Sequence, residues 1–228
     1  MKVSVQTSFP TSMELFTTYR EIDTDRSKSG KVMRTILMKL GSEAYEQICL
    51  AAAGADPDRG TAIYYVLHRA LGHGRCETKV MEALADPYVN KVTKLALRVK
   101  REYHHYFGFI RFREISGMFL LAQIQPENDI LPLLAPHFSN RFPNENWVIY
   151  DEGRQKALCH GKGTECVIKR EVRLQISRNA MGNRGEYEEL WRAFCDSVSI
   201  EARHNEKLQK QMLPLRFQNN MPEFSMKG

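Results

Sequence analysis

The stretch Asp86–Ile124, DPYVNKVTKLALRVKREYHHYFGFIRFREISGMFLLAQI, changes its hydrophobic period part-way along, and that change decides the fold. Asp86 can cap a helix and Pro87 suits its first position. Val92, Leu95, Ala96, Val99 and Tyr103 then recur at helical spacing, an apolar stripe. At about 100° per residue, Lys91, Lys94, Arg98, Arg101 and His105 share a face about 140° away. From Phe107 the pattern predicts strands instead, over 107–115 and 118–124, with Ser116-Gly117 as a hairpin turn. Alternation over the first strand would put Phe107, Phe109, Arg111 and Arg113 on one face.

Working outward, the segments before Asp86 read as helices. Val32, Met33, Ile36, Leu37 and Leu40 predict one over 31–40. Ser42 opens another, to about Gly54, and a third follows Asp56-Pro57-Asp58 and stops at Gly72. Residues 1–30 read as an irregular N-terminal segment. After Ile124, Asn128 or Asp129 can cap a helix through Leu131, Leu134 and Phe138, which Pro136 should kink or split. Strands are expected over 147–150, 156–160 and 165–169, and a long C-terminal helix over 184–213, with a tail from 217. The predicted class is α+β: one integrated domain over 31–216, with a helical part (31–105) and a mostly antiparallel sheet of about five strands within 106–170.

The 228 residues carry 33 Lys and Arg against 27 Asp and Glu, a formal charge of +6. Between Lys91 and Arg113 the basic residues are Lys91, Lys94, Arg98, Lys100, Arg101, Arg111 and Arg113, against Glu102 alone. That window equals the whole net charge, and such a concentration attracts phosphate-bearing partners. Five scattered cysteines without a Cys-x-x-Cys pair fit reduced thiols and a cytoplasmic setting. No apolar run reaches the ~20 residues of a membrane helix, and no signal peptide is evident.

Some chemistries find no support. Cys159, His160 and Cys166 lack zinc-site spacing, His104 and His105 are adjacent and point apart, and no metal or cofactor is expected. Phosphate loops, dinucleotide fingerprints and nucleophile elbows are missing. One constellation invites an enzymatic reading: His137 and Arg141 at i, i+4 could hold a phosphate and move a proton, with Asp151 orienting the imidazole. Near the C-terminus, Arg203, Asn205, Gln209 and Arg216 flank Leu208 and Met212, as helix-end caps and hydrogen-bonding groups do.

Several motifs in order resemble a bacterial family of unknown function linked to DNA metabolism and DNA repair. They are Glu102-Tyr103-His104, Gly108-Phe109-Ile110-Arg111-Phe112, Pro126, Leu133-Leu134-Ala135-Pro136-His137-Phe138 with Arg141, Trp147-Val148-Ile149 and Asp151. The tail adds Trp191, Phe194, Ile200, Arg203, Asn205, Leu208-Gln209, Pro214 and Arg216. The resemblance runs from about Lys31 to Arg216; the opening before Lys31 departs from it, and Phe217-Gln218 differs from the family's usual aromatic ending. It implies a radical S-adenosylmethionine (SAM) protein as partner and, through fusions in some members, a uracil-DNA glycosylase. The leading expectation is a DNA repair or DNA metabolism accessory protein that binds nucleic acid through Lys91, Lys94, Arg98, Arg101, Arg111 and Arg113. The alternatives are an enzyme on damaged or modified nucleic acid using His137, Arg141 and Asp151, and a protein–protein adaptor that binds no nucleic acid.

Overall fold

A computed structural model describes residues 3–7, 15–72, 79–115, 117–174 and 205–218, with isolated positions between 190 and 224. Contacts divide the chain into two compact units: Met1–Glu102 with Glu127–Asp129, and Tyr103–Pro126 with Ile130–Gly228. The described residues are α+β, as the change of period implies.

The first unit is helical. Helix α1 (Arg26–Ala53) begins ahead of the expected Lys31, because Asp25 accepts from the amides of Ser27 and Lys28 and so caps it. The two helices predicted over 31–54 are the two halves of α1, separated at Gly41, whose φ of 88° interrupts helical geometry. Helix α2 (Arg59–Leu71) ends where Gly72 follows. Segment 3–7 lies along α2: Val3 N donates to Tyr65 Oη and Val5 N to Thr61 Oγ1. A Cβ on Gly60 would meet Val5 O at 2.8 Å, so this approach requires glycine. Helix α3 (Pro87–Phe109) opens as its sequence predicts, with Asp86 Oδ1 accepting from Tyr88 N and Val89 N. Val92, Leu95, Ala96 and Val99 are buried.

The expected strand from Phe107 needs correction: α3 continues through Phe109, and β1 is only Arg113–Ile115. Tyr103, Tyr106, Phe107 and Ile110 extend the helical spacing, and the Ile110 amide still bonds to Tyr106 O. The single aromatic–basic strand face therefore does not exist. The hairpin does: β1 pairs antiparallel with β2 (Phe119–Ile124), with Gly117 at φ 66° in the turn.

In the second unit the sheet order is β1-β2-β3-β4-β5, with β3 Trp147–Asp151, β4 Lys156–His160 and β5 Val167–Lys169. Three pairings are antiparallel and β2–β3 is parallel, so the sheet is mixed. The parallel pair needs a crossover, supplied by α4 (Leu131–Arg141). The residue before α4 is Ile130, whose hydrocarbon side chain cannot cap, and Asn128, an expected cap, is bound to Glu102 instead. Pro136 sits inside α4 without splitting it. Leu131, Leu134 and Phe138 form its buried stripe, and α4 packs on β4. Phe112 meets Phe138, Phe142 and Trp147 edge-on, and Trp147 stacks on His160 at 5.0 Å.

The expected long C-terminal helix is not borne out. The last described elements are short, α5 (Glu206–Met212) and α6 (Leu215–Gln218), and most of 184–204 lies outside the described residues. Pro214 stands between the two pieces, where its missing amide and fixed φ favour a stop.

Candidate nucleic-acid interface

The outward face of α3 in the first unit is built by periodicity. With the apolar stripe buried, Lys94, Arg98 and Arg101 are exposed on the other side. None of the three forms an ion pair among the described residues. At 1.5 Å rise per residue they span about 10 Å of helix.

The rest of the predicted ridge behaves differently. Lys91 Nζ bridges Asp56 at 3.1 Å and Asp58 at 3.2 Å. Burial opposes its charge, but these two carboxylates outweigh it and raise the Lys91 pKa. Asp56 mirrors this: burial would raise its carboxyl, yet Lys91 and the Asp58 amide hold it below the ordinary carboxylate range. Lys100 is drawn to Glu46 at 3.1 Å. In the second unit, Arg111 donates to the carbonyls of Gly108 and Ile110 and so closes the end of α3, while Arg113 lies half-buried on β1. His105 is half-buried against Phe109 and Phe217 rather than on an open ridge. The exposed, unbridged core of the expected surface is thus Lys94, Arg98 and Arg101.

In the second constellation His137 and Arg141 lie close together on α4, while the Asp151 carboxylate pairs with Arg154. His137 stacks on Phe107 at 4.1 Å, and its buried Nε2 has no hydrogen-bond partner among the described residues. Burial first, and then the nearby Arg141, push its pKa below the ordinary value, so the imidazole is neutral at pH 7. Arg141 is exposed, with its guanidinium over Phe142. Asp151 is fully buried at the far end of β3, and it accepts from Arg154 N and Nη1. Arg154 Nη1 also donates to Pro126 O. No hydrogen bond joins Asp151 to His137 among the described residues; its partner is Arg154.

The family-motif residues divide between surface positions and packing contacts. His104 is exposed, 6.0 Å from the Phe107 ring, and Gly108 faces open space. Phe109 meets Phe217 at 5.1 Å, and Arg216 lies over the same ring at 4.9 Å. Phe217 therefore takes up the C-terminal packing contact itself. Asn205 Oδ1 accepts from Leu208 N, the helix cap its sequence context implies, and Arg203 lies outside the described residues.

One group was not foreseen as a centre of the structure. Glu102 is 3 % exposed, and its carboxylate accepts from Glu127 N, Asn128 N and Asn128 Nδ2. Asn128 Oδ1 accepts in turn from Ala55 N. The signal was available, since Glu102 stands three residues after Val99 on the apolar stripe. No group of His, Cys, Asp and Glu among the described residues could hold a metal, and no described helix is long and apolar enough to cross a membrane.

A family model described as a domain of unknown function, DUF4130, matches residues 57–223, most of the chain. The chain belongs to the DUF4130 family. No curated protein and no solved structure matches it. The DUF4130 match includes α3, the loop that Glu102 holds, the whole sheet and the Phe217 contact.

Proposed function

We propose that this DUF4130 protein is a nucleic-acid-binding accessory factor of DNA repair or DNA metabolism. It works in the cytoplasm beside a separate radical SAM enzyme, with uracil-DNA glycosylase as a further partner. The observation that carries the binding step is the exposed Lys94, Arg98 and Arg101 set on one face of α3, free of ion pairs among the described residues. Such a row neutralises backbone phosphates and releases their counterions. The sequence motifs shared with a DNA-metabolism family supply the DNA setting and the enzyme partner. Lys91 and Lys100 already face carboxylates, so they add little to the row.

The three α3 contacts by themselves contribute about −2.7 to the slope of log affinity against log salt, about a 40-fold loss between about 50 and 200 mM salt. A titration against single- and double-stranded DNA at those two concentrations, with and without the radical enzyme, reads this directly. Reversing Lys94, Arg98 and Arg101 to Glu abolishes binding while leaving the folded state intact. Wild-type affinity in that variant refutes the assignment.

A further inference from the structure

A second cationic surface stands apart from the one assigned above. The first half of α1 carries Arg26, Lys28, Lys31, Arg34 and Lys39 with no acidic residue anywhere from 26 to 42. All five are exposed. Lys28 is paired with its own helix cap Asp25 at 3.7 Å, whereas Arg26, Lys31 and Arg34 form no ion pair among the described residues. Surface helices of ordinary proteins mix both signs, so a helix half with no acidic residue of its own selects an anionic partner and disfavours a second copy of itself. Gly41, with φ 88°, separates this half from the half that buries Ala44, Ile48 and Ala51.

We infer that the Arg26–Leu40 half of α1 is a second phosphate-binding element that grips the same nucleic acid as the α3 face. The inference rests on the nucleic-acid reading above. Two polyanions meet the charge requirement, a nucleic acid and an anionic lipid surface. Val32, Met33, Leu37 and Met38 are exposed, at 50 %, 41 %, 37 % and 86 %, which a lipid surface would use. The centre of the apolar stripe, however, is already buried: Ile36 is 4 % and Leu40 8 % exposed. The helix therefore cannot roll that stripe into lipid. Lys31 and Arg34 lie within about 50° of directly opposite it, facing outward. This favours nucleic acid.

The test compares duplex DNA binding by the full chain in three forms: wild type, Arg26→Gln/Lys31→Gln/Arg34→Gln, and Lys94→Glu/Arg98→Glu/Arg101→Glu. Thermal unfolding and helix content check that each folds, and a charge-conserving control outside these three, Lys31→Arg/Arg34→Lys, binds as the wild type does. With both elements engaged, the wild-type salt slope is near −5.4, and neutralising the α1 set makes it shallower by about 2.7. An unchanged slope in the α1 variant overturns the inference, and loss of binding in the α3 variant then leaves the earlier reading standing. The reverse pattern, binding lost through α1 but not α3, overturns the α3 assignment and with it the grip shared between the two elements. Binding to phosphatidylglycerol vesicles that depends on the α1 set, with DNA affinity unaffected, overturns it in favour of a lipid surface. No DNA affinity in any form defeats both.

Discussion

The cationic row of α3 and the His137–Arg141–Asp151 constellation rest on similar kinds of pattern, but the row lies on a single helix, whereas Asp151 stands on a different element from His137 and Arg141 and pairs with Arg154. Lys94, Arg98 and Arg101 lie within two turns of one helix, where spacing in sequence is spacing in space. The other set depends on two elements, α4 and β3, and on which neighbour reaches each side chain first. Arg154, three residues after Asp151, reaches its carboxylate at 3.2 Å and its backbone amide adds a second bond at 3.1 Å. Phe107 takes the face of His137. Local periodicity transfers to the surface; convergence across elements is decided by competition that spacing does not encode.

The contrast can be broken or sharpened in several ways. The largest effect belongs to the buried carboxylate under the cationic face. Glu102→Ala leaves the amides of Glu127 and Asn128 and the Asn128 side chain without their acceptor, and unfolding free energy falls by about 3 kcal/mol. Chemical denaturation reads this, and a change below about 1 kcal/mol would show that water replaces the carboxylate.

Asp151→Asn weakens the bond to Arg154 and costs about 2 kcal/mol, again by denaturation, with DNA affinity unchanged. A selective loss of affinity in a variant that folds normally would return Asp151 to the functional site. Within the α3 row, Lys94→Gln makes the salt slope of DNA binding shallower by about 0.9, whereas Lys91→Gln leaves it nearly unaltered, because Lys91 already answers to Asp56 and Asp58. Equal slopes for the two variants would erase the distinction between bridged and unbridged cations.

Two smaller effects follow pH. Burial opposes ionisation of Asp86, but the amides of Val89 and Tyr88 and the Arg69 guanidinium hold its carboxyl below the ordinary range. Its stabilisation is present above the unfolded value near pH 4 and is lost as pH falls through the lower folded value. Asp86→Ala therefore costs about 1 kcal/mol at pH 7 and less in acid, read from denaturation midpoints at both pH values. His137 has the opposite charge and also a lowered pKa, so the unfolded chain takes up its proton first. Stability falls as pH drops below about 6.5, until the folded imidazole also protonates, and His137→Gln flattens that part of the profile. An identical profile in the variant would mean that the ring titrates freely.

How far the sequence carried depended on the range of the interactions. The start of α3, its buried stripe, the hairpin and the strands from Trp147 to His160 follow from caps, turn residues and periods that act within a few positions. The end of α3 was misjudged because Phe107, Phe109 and Phe112 suit a strand as well as a helix, and helical propagation from Tyr103 and Tyr106 decided between them. The parallel β2–β3 pairing was not visible, since Leu120 meets Trp147 only after α4 has carried the chain back. Asn128 looked like a cap, but the carboxylate of Glu102 and the amide of Ala55 claim it from positions distant in sequence.

That last arrangement has a consequence for dissection. Glu127–Asp129 belongs to the first unit although the residues on both sides of it belong to the second. The two units are interleaved along the polypeptide, with crossings after positions 102, 126 and 129. No single scission yields two complete pieces, and a fragment ending at Glu102 lacks the tripeptide its own carboxylate binds. Fragment complementation succeeds only if the second piece returns that tripeptide.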